Sequence, residues 1–264
     1  MTVEDLEQDP DLGEFSPEPE SDGPPTIAPP HEVEGQAQVN YNDRVVAIGF
    51  TGAGKSELVN VLWSGMTCQR LLVDNKREFA IPDVAPVSDP GSLDWSEPVL
   101  HFRPHPGRGT EQYEELFEAC MQRRGLSVAV HELSAVCGHQ PNRVGNYTLS
   151  YLTQGRALGL GWIAGTQRPF RIPVSALSEA EHIFEFPPQL ARMDDHRAAA
   201  EALSPIDGHR LSADDLTQEL AAIEKLTGPY SFLWKDRRVG QLQSFPPLPE
   251  QLRHTSIVHR TEDA

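Results

Sequence analysis

Residues Gly49 to Ser56 read GFTGAGKS and directly follow the apolar run Val45-Val46-Ala47-Ile48. This is the G-x-x-x-x-G-K-[ST] pattern set between a predicted strand and a predicted helix, the context in which it carries meaning. Glycines at 49, 52 and 54 let successive backbone N–H groups converge on phosphate oxygens. Lys55 brings a point charge toward the β- and γ-phosphates, and the Ser56 hydroxyl suits Mg²⁺. The helix that begins here, through ELVNVLWSGM, aims the positive end of its dipole at the same phosphates. The stretch predicts a nucleoside triphosphate site lined by Gly49, Thr51, Gly52, Ala53, Gly54, Lys55, Ser56 and Glu57.

Working outward, the 264 residues suffice for one sizeable α/β domain with tails. The net charge of −17 is unevenly spread: 11 of the 39 acidic residues fall in residues 1–38, which hold no Lys or Arg. The other 28 acidic residues face 22 basic ones, an ordinary balance that leaves room for local contacts with an anionic partner. The tail also carries Pro10, Pro17, Pro19, Pro24, Pro25, Pro29 and Pro30 and almost no apolar periodicity. Such a segment buries too little apolar surface to offset the entropy of ordering it, so residues 1–40 read as a disordered arm. It is either a solvated spacer or an acidic docking element able to mimic DNA.

Cys68, Cys120 and Cys137 are widely spaced and form no C-x-x-C pair, which excludes a disulfide framework and a zinc ribbon. His101 and His105 in HFRPHPGRG have no ligand partner at metal spacing. An acidic N-terminus without an apolar h-region, and no 18-residue apolar run, argue against secretion and membrane spanning. The expected setting is cytoplasmic.

Apolar segments then alternate with helical patterns, which predicts a mainly parallel sheet flanked by helices. The expected strands are 43–49, Leu71–Asp74, Val99–Arg103, Ser127–His131, Trp162–Thr166 and His182–Phe186. The expected helices are Lys55–Trp63, Thr110–Arg123, Arg143–Leu158, Leu190–Leu203 and Ala213–Leu226. PYSFLWKDRRVGQLQSF (229–245) reads as a C-terminal β-hairpin turning near Lys235–Arg238. One domain over 41–250 and a flexible tail over 251–264 complete the plan.

The loop string GFTGAGKSELVNVL alone also suits a small GTPase, but no D-x-x-G switch follows. The single Asn-Lys pair, Asn75-Lys76, lies too close to Lys55 to be a guanine reader. The chain shows no evident lid or arginine-rich acceptor-binding segment after the third strand, which argues against a kinase. Three other stretches point elsewhere. LLVDNKREF (71–79) looks like the strand and turn after the P-loop helix of FtsK/HerA-type DNA-pumping ATPases. LSVAVHEL (126–133) resembles their Walker B strand, and GRALGLGWIAGTQRP (155–169) is similar to their helix-to-strand segment closing on Thr-Gln-Arg-Pro. The resemblance covers residues 43–240 and implies a RecA-like P-loop NTPase core.

It further implies ATP and Mg²⁺ as cofactors, with Glu132 orienting the attacking water and touching Mg²⁺ through water. Gln167 would sense the γ-phosphate. Arg156, with Arg168 as the second candidate, would reach a neighbouring subunit's ATP. One departure stands out: His131 occupies the place of the Walker B aspartate, and an imidazole cannot supply the anionic support that a carboxylate gives. Either Ser56 and water suffice, with another carboxylate such as Asp74 compensating, or hydrolysis is slow or pH-dependent, because His titrates near neutrality.

A DNA pump contacts phosphates from pore loops. Candidates are Arg103 and Arg108, Arg143, and Arg171 beside Arg168. The resemblance implies a homo-oligomeric ring of six acting on double-stranded DNA. In size the chain is similar to the genome-packaging ATPases of membrane-containing viruses, which implies capsid vertex proteins as partners and the host cytoplasm or virion vertex as location. Plasmid transfer or partition by the same engine, and a weakly hydrolysing ATP-binding module, are the alternatives.

Overall fold

The structure is a computed structural model that describes residues 38–138, 140, 143–186, 230–239, 241–252 and 257–259. The acidic arm and the helices expected over Leu190–Leu203 and Ala213–Leu226 lie outside the described residues.

The apolar runs become strands where expected: β1 (Arg44–Ile48), β2 (Gln69–Val73), β4 (Val99–Phe102), β5 (Leu126–Val130), β6 (Leu160–Thr166) and β7 (His182–Glu185). They form one parallel array in the order β4-β2-β5-β6-β1-β7. β8 (Phe232–Asp236) and β9 (Gln241–Phe245) extend it antiparallel from β7, completing an eight-stranded sheet. The hairpin therefore turns after Asp236, slightly later than its charge pattern suggests.

Both faces of the sheet are covered, and the alternation within each strand separates two cores. Val46, Ile48, Val128, Val130, Trp162 and Ala164 point to one, where α2 (Glu111–Met121), α4 (Asn146–Gln154) and α5 (Val174–Glu179) pack. Val45, Ala47, Ala129 and Ile163 point to the other, against Leu58, Val59 and Trp63 of α1 (Lys55–Ser64). Behind the loop at 49–54, Phe184, Phe186, Phe232, Trp234 and Phe245 form an aromatic cluster that joins the hairpin to this second core.

Four details depart from the sequence reading. The helix expected over 143–158 is α4 alone, followed by a 3-10 turn at Gly155–Leu158. A one-and-a-half-turn helix, α3 (Leu133–Cys137), follows β5 directly. α5 was also not foreseen, because six residues are too few to show a periodicity. The segment read as a flexible end contributes β10 (Val258–His259), which pairs antiparallel with β3 (Phe79–Ala80). Among the described residues no helix is long and apolar enough to cross a membrane.

Candidate active site

Because the inner strands run in parallel, their C-terminal ends share one edge of the sheet. Ile48 pairs with Thr166 and Glu185, and Val130 pairs with Ala164, so the ends of β1, β5 and β6 are level. The GFTGAGKS loop leaves β1 there. Gly54 caps α1 with φ near +103°, a left-handed conformation that side-chain-bearing residues rarely adopt. The Gly49 amide donates to the Thr166 carbonyl at 3.2 Å, tying the loop to the end of β6.

Lys55 is buried, and its Nζ donates across the loop to the Phe50 carbonyl at 2.6 Å. Burial pulls the ammonium down to about 8; Lys76 adds to the shift and Glu132 opposes it. At neutral pH the group is still charged. Gly49, Thr51, Gly52, Ala53, Gly54, Lys55, Ser56 and Glu57 thus form one continuous turn from β1 into the first turn of α1.

Glu132 follows β5 and precedes α3 in extended conformation. Its Oε1 accepts from Ser134 Oγ at 2.7 Å and from Thr166 Oγ1 at 3.0 Å, and both carboxylate oxygens accept from the Gln167 amide at 3.3 Å. The Gln167 side chain in turn accepts from Thr51 Oγ1 at 2.8 Å through Oε1, which leaves its NH₂ as the donor end. Loop, carboxylate and glutamine are one hydrogen-bonded unit. Gly165 makes this possible: a Cβ there would stand 2.9 Å from the His131 carbonyl oxygen, so only glycine lets β6 lie against the end of β5.

His131 does not face this unit as a carboxylate substitute. It is fully buried, with Nε2 2.6 Å from Asn60 Oδ1 on α1 and its ring stacked on Phe79 at 3.9 Å. Asp74 does not compensate for it either. Its carboxylate receives the Glu78 and Phe79 amides at 3.1 and 3.4 Å and Arg103 Nε at 3.3 Å, with His101 Nε2 3.5 Å away. Burial alone would raise the Asp74 carboxyl, but these neighbours hold it below the usual carboxylate range. Asp74 is an anchor of the β2–β3 turn. The hard-oxygen donors near the loop, the Ser56 hydroxyl and Glu132, fit Mg²⁺, which takes few protein ligands and keeps several waters.

The arginines separate into distinct groups. Arg168 is exposed beside Gln167, its amide bonded to Thr166 Oγ1 at 3.0 Å. Arg156 is at the opposite edge of the sheet, before β6, where Nη1 meets Glu181 Oε1 at 2.9 Å. The structure does not bring it to its own phosphate loop. Arg103, expected to contact DNA, is instead internal: its Nη2 donates to the Phe79 carbonyl at 2.7 Å and its side chain is 13% exposed. Arg108 forms a bidentate pair with Glu115 at 2.6 and 2.7 Å. Arg143 is exposed and Arg171 half-buried, and both line one cleft.

Sequence reasoning overlooked the residues that hold the named ones: Asn60 on His131, Ser134 on Glu132, and Asn75, whose Nδ2 donates to the Glu132 carbonyl at 2.7 Å. Only the Thr-Gln-Arg-Pro string signalled one such support, Thr166.

No protein-family model matches the chain, and no curated protein is similar to it. Solved structures are. The genome packaging NTPase B204 of Sulfolobus turreted icosahedral virus 2, in complex with AMPPCP, matches with a TM-score of 0.59 and 17% identity, over 80% of this chain and all of that one. The ATP-gammaS complex of the same protein gives 0.58 at 16% identity with the same coverage. B204 of Sulfolobus turreted icosahedral virus, described as the DNA-packaging ATPase, gives 0.57 at 17% identity, again over 80% and 100%. At these identities the likeness is one of architecture, and it establishes that the chain is built on the P-loop NTPase fold.

Proposed function

We propose that the chain is an ATP-hydrolysing motor that translocates double-stranded DNA, packaging a viral genome into a preformed capsid. The observation that carries the reading is the hydrogen-bonded unit of phosphate loop, Glu132 and Gln167 on one sheet edge. The fold-level likeness to packaging NTPases supports the cargo.

In this reading the loop amides and Lys55 hold the triphosphate, while the Glu132 carboxylate accepts a hydrogen bond from the attacking water and aligns it with the γ-phosphorus. The water's oxygen bonds to that phosphorus as the bond to the β–γ bridging oxygen breaks. The proton leaves with the phosphate or by way of Glu132. The NH₂ of Gln167 donates to the γ-phosphate. Mg²⁺ held by Ser56 would supply charge neutralisation at the β- and γ-oxygens. Arg156, on the far edge, suits a head-to-tail ring in which it serves a neighbour's ATP; six copies and capsid vertex partners belong to the same proposal.

The test is phosphate release by the full chain at low salt, with and without linear duplex DNA. DNA should stimulate turnover. Glu132→Gln should lower it about 10²-fold or more while nucleotide binding persists, the scale of a positioned general base. Normal turnover in Glu132→Gln would overturn the assignment.

The second reading, a weakly hydrolysing ATP-binding module, rests on His131, whose ring is engaged with Asn60 and Phe79 where a carboxylate would support the metal. Nucleotide binding with negligible turnover in both conditions would favour it.

A further inference from the structure

On the sheet edge that also carries the phosphate loop lies a cleft of about 780 Å³. Arg77, Arg108, Arg143, Arg171 and His105 line it, and among the described residues no Asp or Glu does, in a chain with 39 acidic residues. The arginines come from four separate loops. Arg108 follows β4, Arg77 follows β2, Arg143 lies beyond β5 and α3, and Arg171 follows β6. Those strands are consecutive in the sheet. Neighbouring strand ends are ~4.8 Å apart, so the row is ~14 Å long. One strand of B-DNA carries a charge every ~3.4 Å of axis, and the row therefore spans several phosphates.

Arg108 is largely neutralised by Glu115, but among the described residues no ion pair holds Arg77 or Arg143. Arg77 is also held at φ near +63°, a left-handed conformation unusual for arginine. The Asp74 carbonyl accepts its amide at 3.2 Å and the Asp74 carboxylate caps the next two amides, so the turn fixes this conformation. Backbone strain held by such anchoring is a feature of binding sites. Asn75 and Ser134 line the cleft and also hydrogen-bond Glu132.

We infer that this cleft binds the phosphate backbone of one strand of duplex DNA, and that Asn75 links its occupancy to the nucleotide site. The inference rests on the motor reading for its ligand, but its test does not depend on turnover. A cleft for free nucleotide would offer an open aromatic wall to the base; the Tyr113 ring that lines this one is only 6% exposed, among loops carrying Gly, Pro and Arg.

The experiment measures binding of a short labelled duplex to the full chain by fluorescence anisotropy across a salt series. Arg77→Gln and Arg143→Gln are compared with Arg124→Gln, an exposed arginine at the other edge of the sheet. Each cleft variant should weaken binding about tenfold at low salt and reduce the slope of log K against log salt by about 1, while Arg124→Gln does neither. Arg77→Gly, which relieves the left-handed strain, should weaken DNA binding without lowering Tm. Equal DNA affinity in all variants would overturn the proposal. So would displacement of the duplex from the cleft variants and the wild type alike by inorganic phosphate or ADP, or loss of self-association with DNA affinity intact; these would mark a small-anion pocket and a subunit contact. A fluorescent ATP analogue, titrated with and without DNA, reads the link: DNA should shift its affinity in wild type and not in Asn75→Ala. No nucleotide binding at all would sink the motor reading and the Asn75 link with it, and leave the DNA contact standing.

Discussion

At the scale of single residues, the site depends on contacts that have no alternative. Gly165 is the clearest. Gly165→Ala would push a methyl against the His131 carbonyl and displace Glu132, which is next in the chain. The expected cost is about 1–3 kcal/mol in stability. Turnover should fall further than Tm suggests, which parallel melting and phosphate-release measurements would check. His131 makes a second case. Asn60→Leu removes the acceptor of a buried imidazole, leaving a polar nitrogen without that partner at a cost of about 1–3 kcal/mol. Thermal denaturation should show it. The P-loop, Glu132 and Gln167 were legible as strings because motif spacing is local. Asn60 and Asn75 were not, because their partners lie 71 and 57 residues away and nothing in the local pattern marks them.

At the scale of elements, the turn between β2 and β3 is built around one buried carboxylate. Arg103→Ala would leave Asp74 short of a cation within the fold, and breaking such a buried pair costs about 3–5 kcal/mol. Tm should drop sharply, while the salt dependence of DNA binding in the folded fraction should not change. A phosphate contact at Arg103 would give the reverse pattern. The sequence invited that misreading, since an arginine among prolines and glycines looks like a surface loop. Only the fold shows that β4 runs beside β2 and carries Arg103 to Asp74. The strands themselves were readable as short apolar runs because both faces of the sheet are covered. The brief α3 and α5 were hidden for lack of length, and β3 and β10, two residues each, carry no periodicity at all.

At the scale of the whole molecule, acid sensitivity follows from carboxylates that the fold stabilises. Burial alone would raise Asp43 and Asp236 as it would Asp74. His182, the Asn40 amide and Arg238 around Asp43, and Arg238 with His182 around Asp236, hold both below the usual carboxylate range. A carboxylate whose folded value is depressed stabilises the fold above its unfolded value of about 4, and that contribution disappears as pH falls through the folded value. Tm should therefore hold near neutrality and decline below about pH 5, with Asp43→Asn showing a lower plateau and a shallower decline. A Tm independent of pH down to 3 would contradict the linkage.

β6 gives the molecule one more property. It begins four residues after Arg156 and ends one residue before Gln167, seven buried residues spanning ~23 Å of stiff backbone. Where subunits stand head to tail, one strut then has the neighbour's nucleotide at its root and its own at its tip. Firing order around such a ring would be set by a rigid rod rather than by a flexible relay, so a kink placed within 160–166 should desynchronise the subunits while leaving each able to bind ATP.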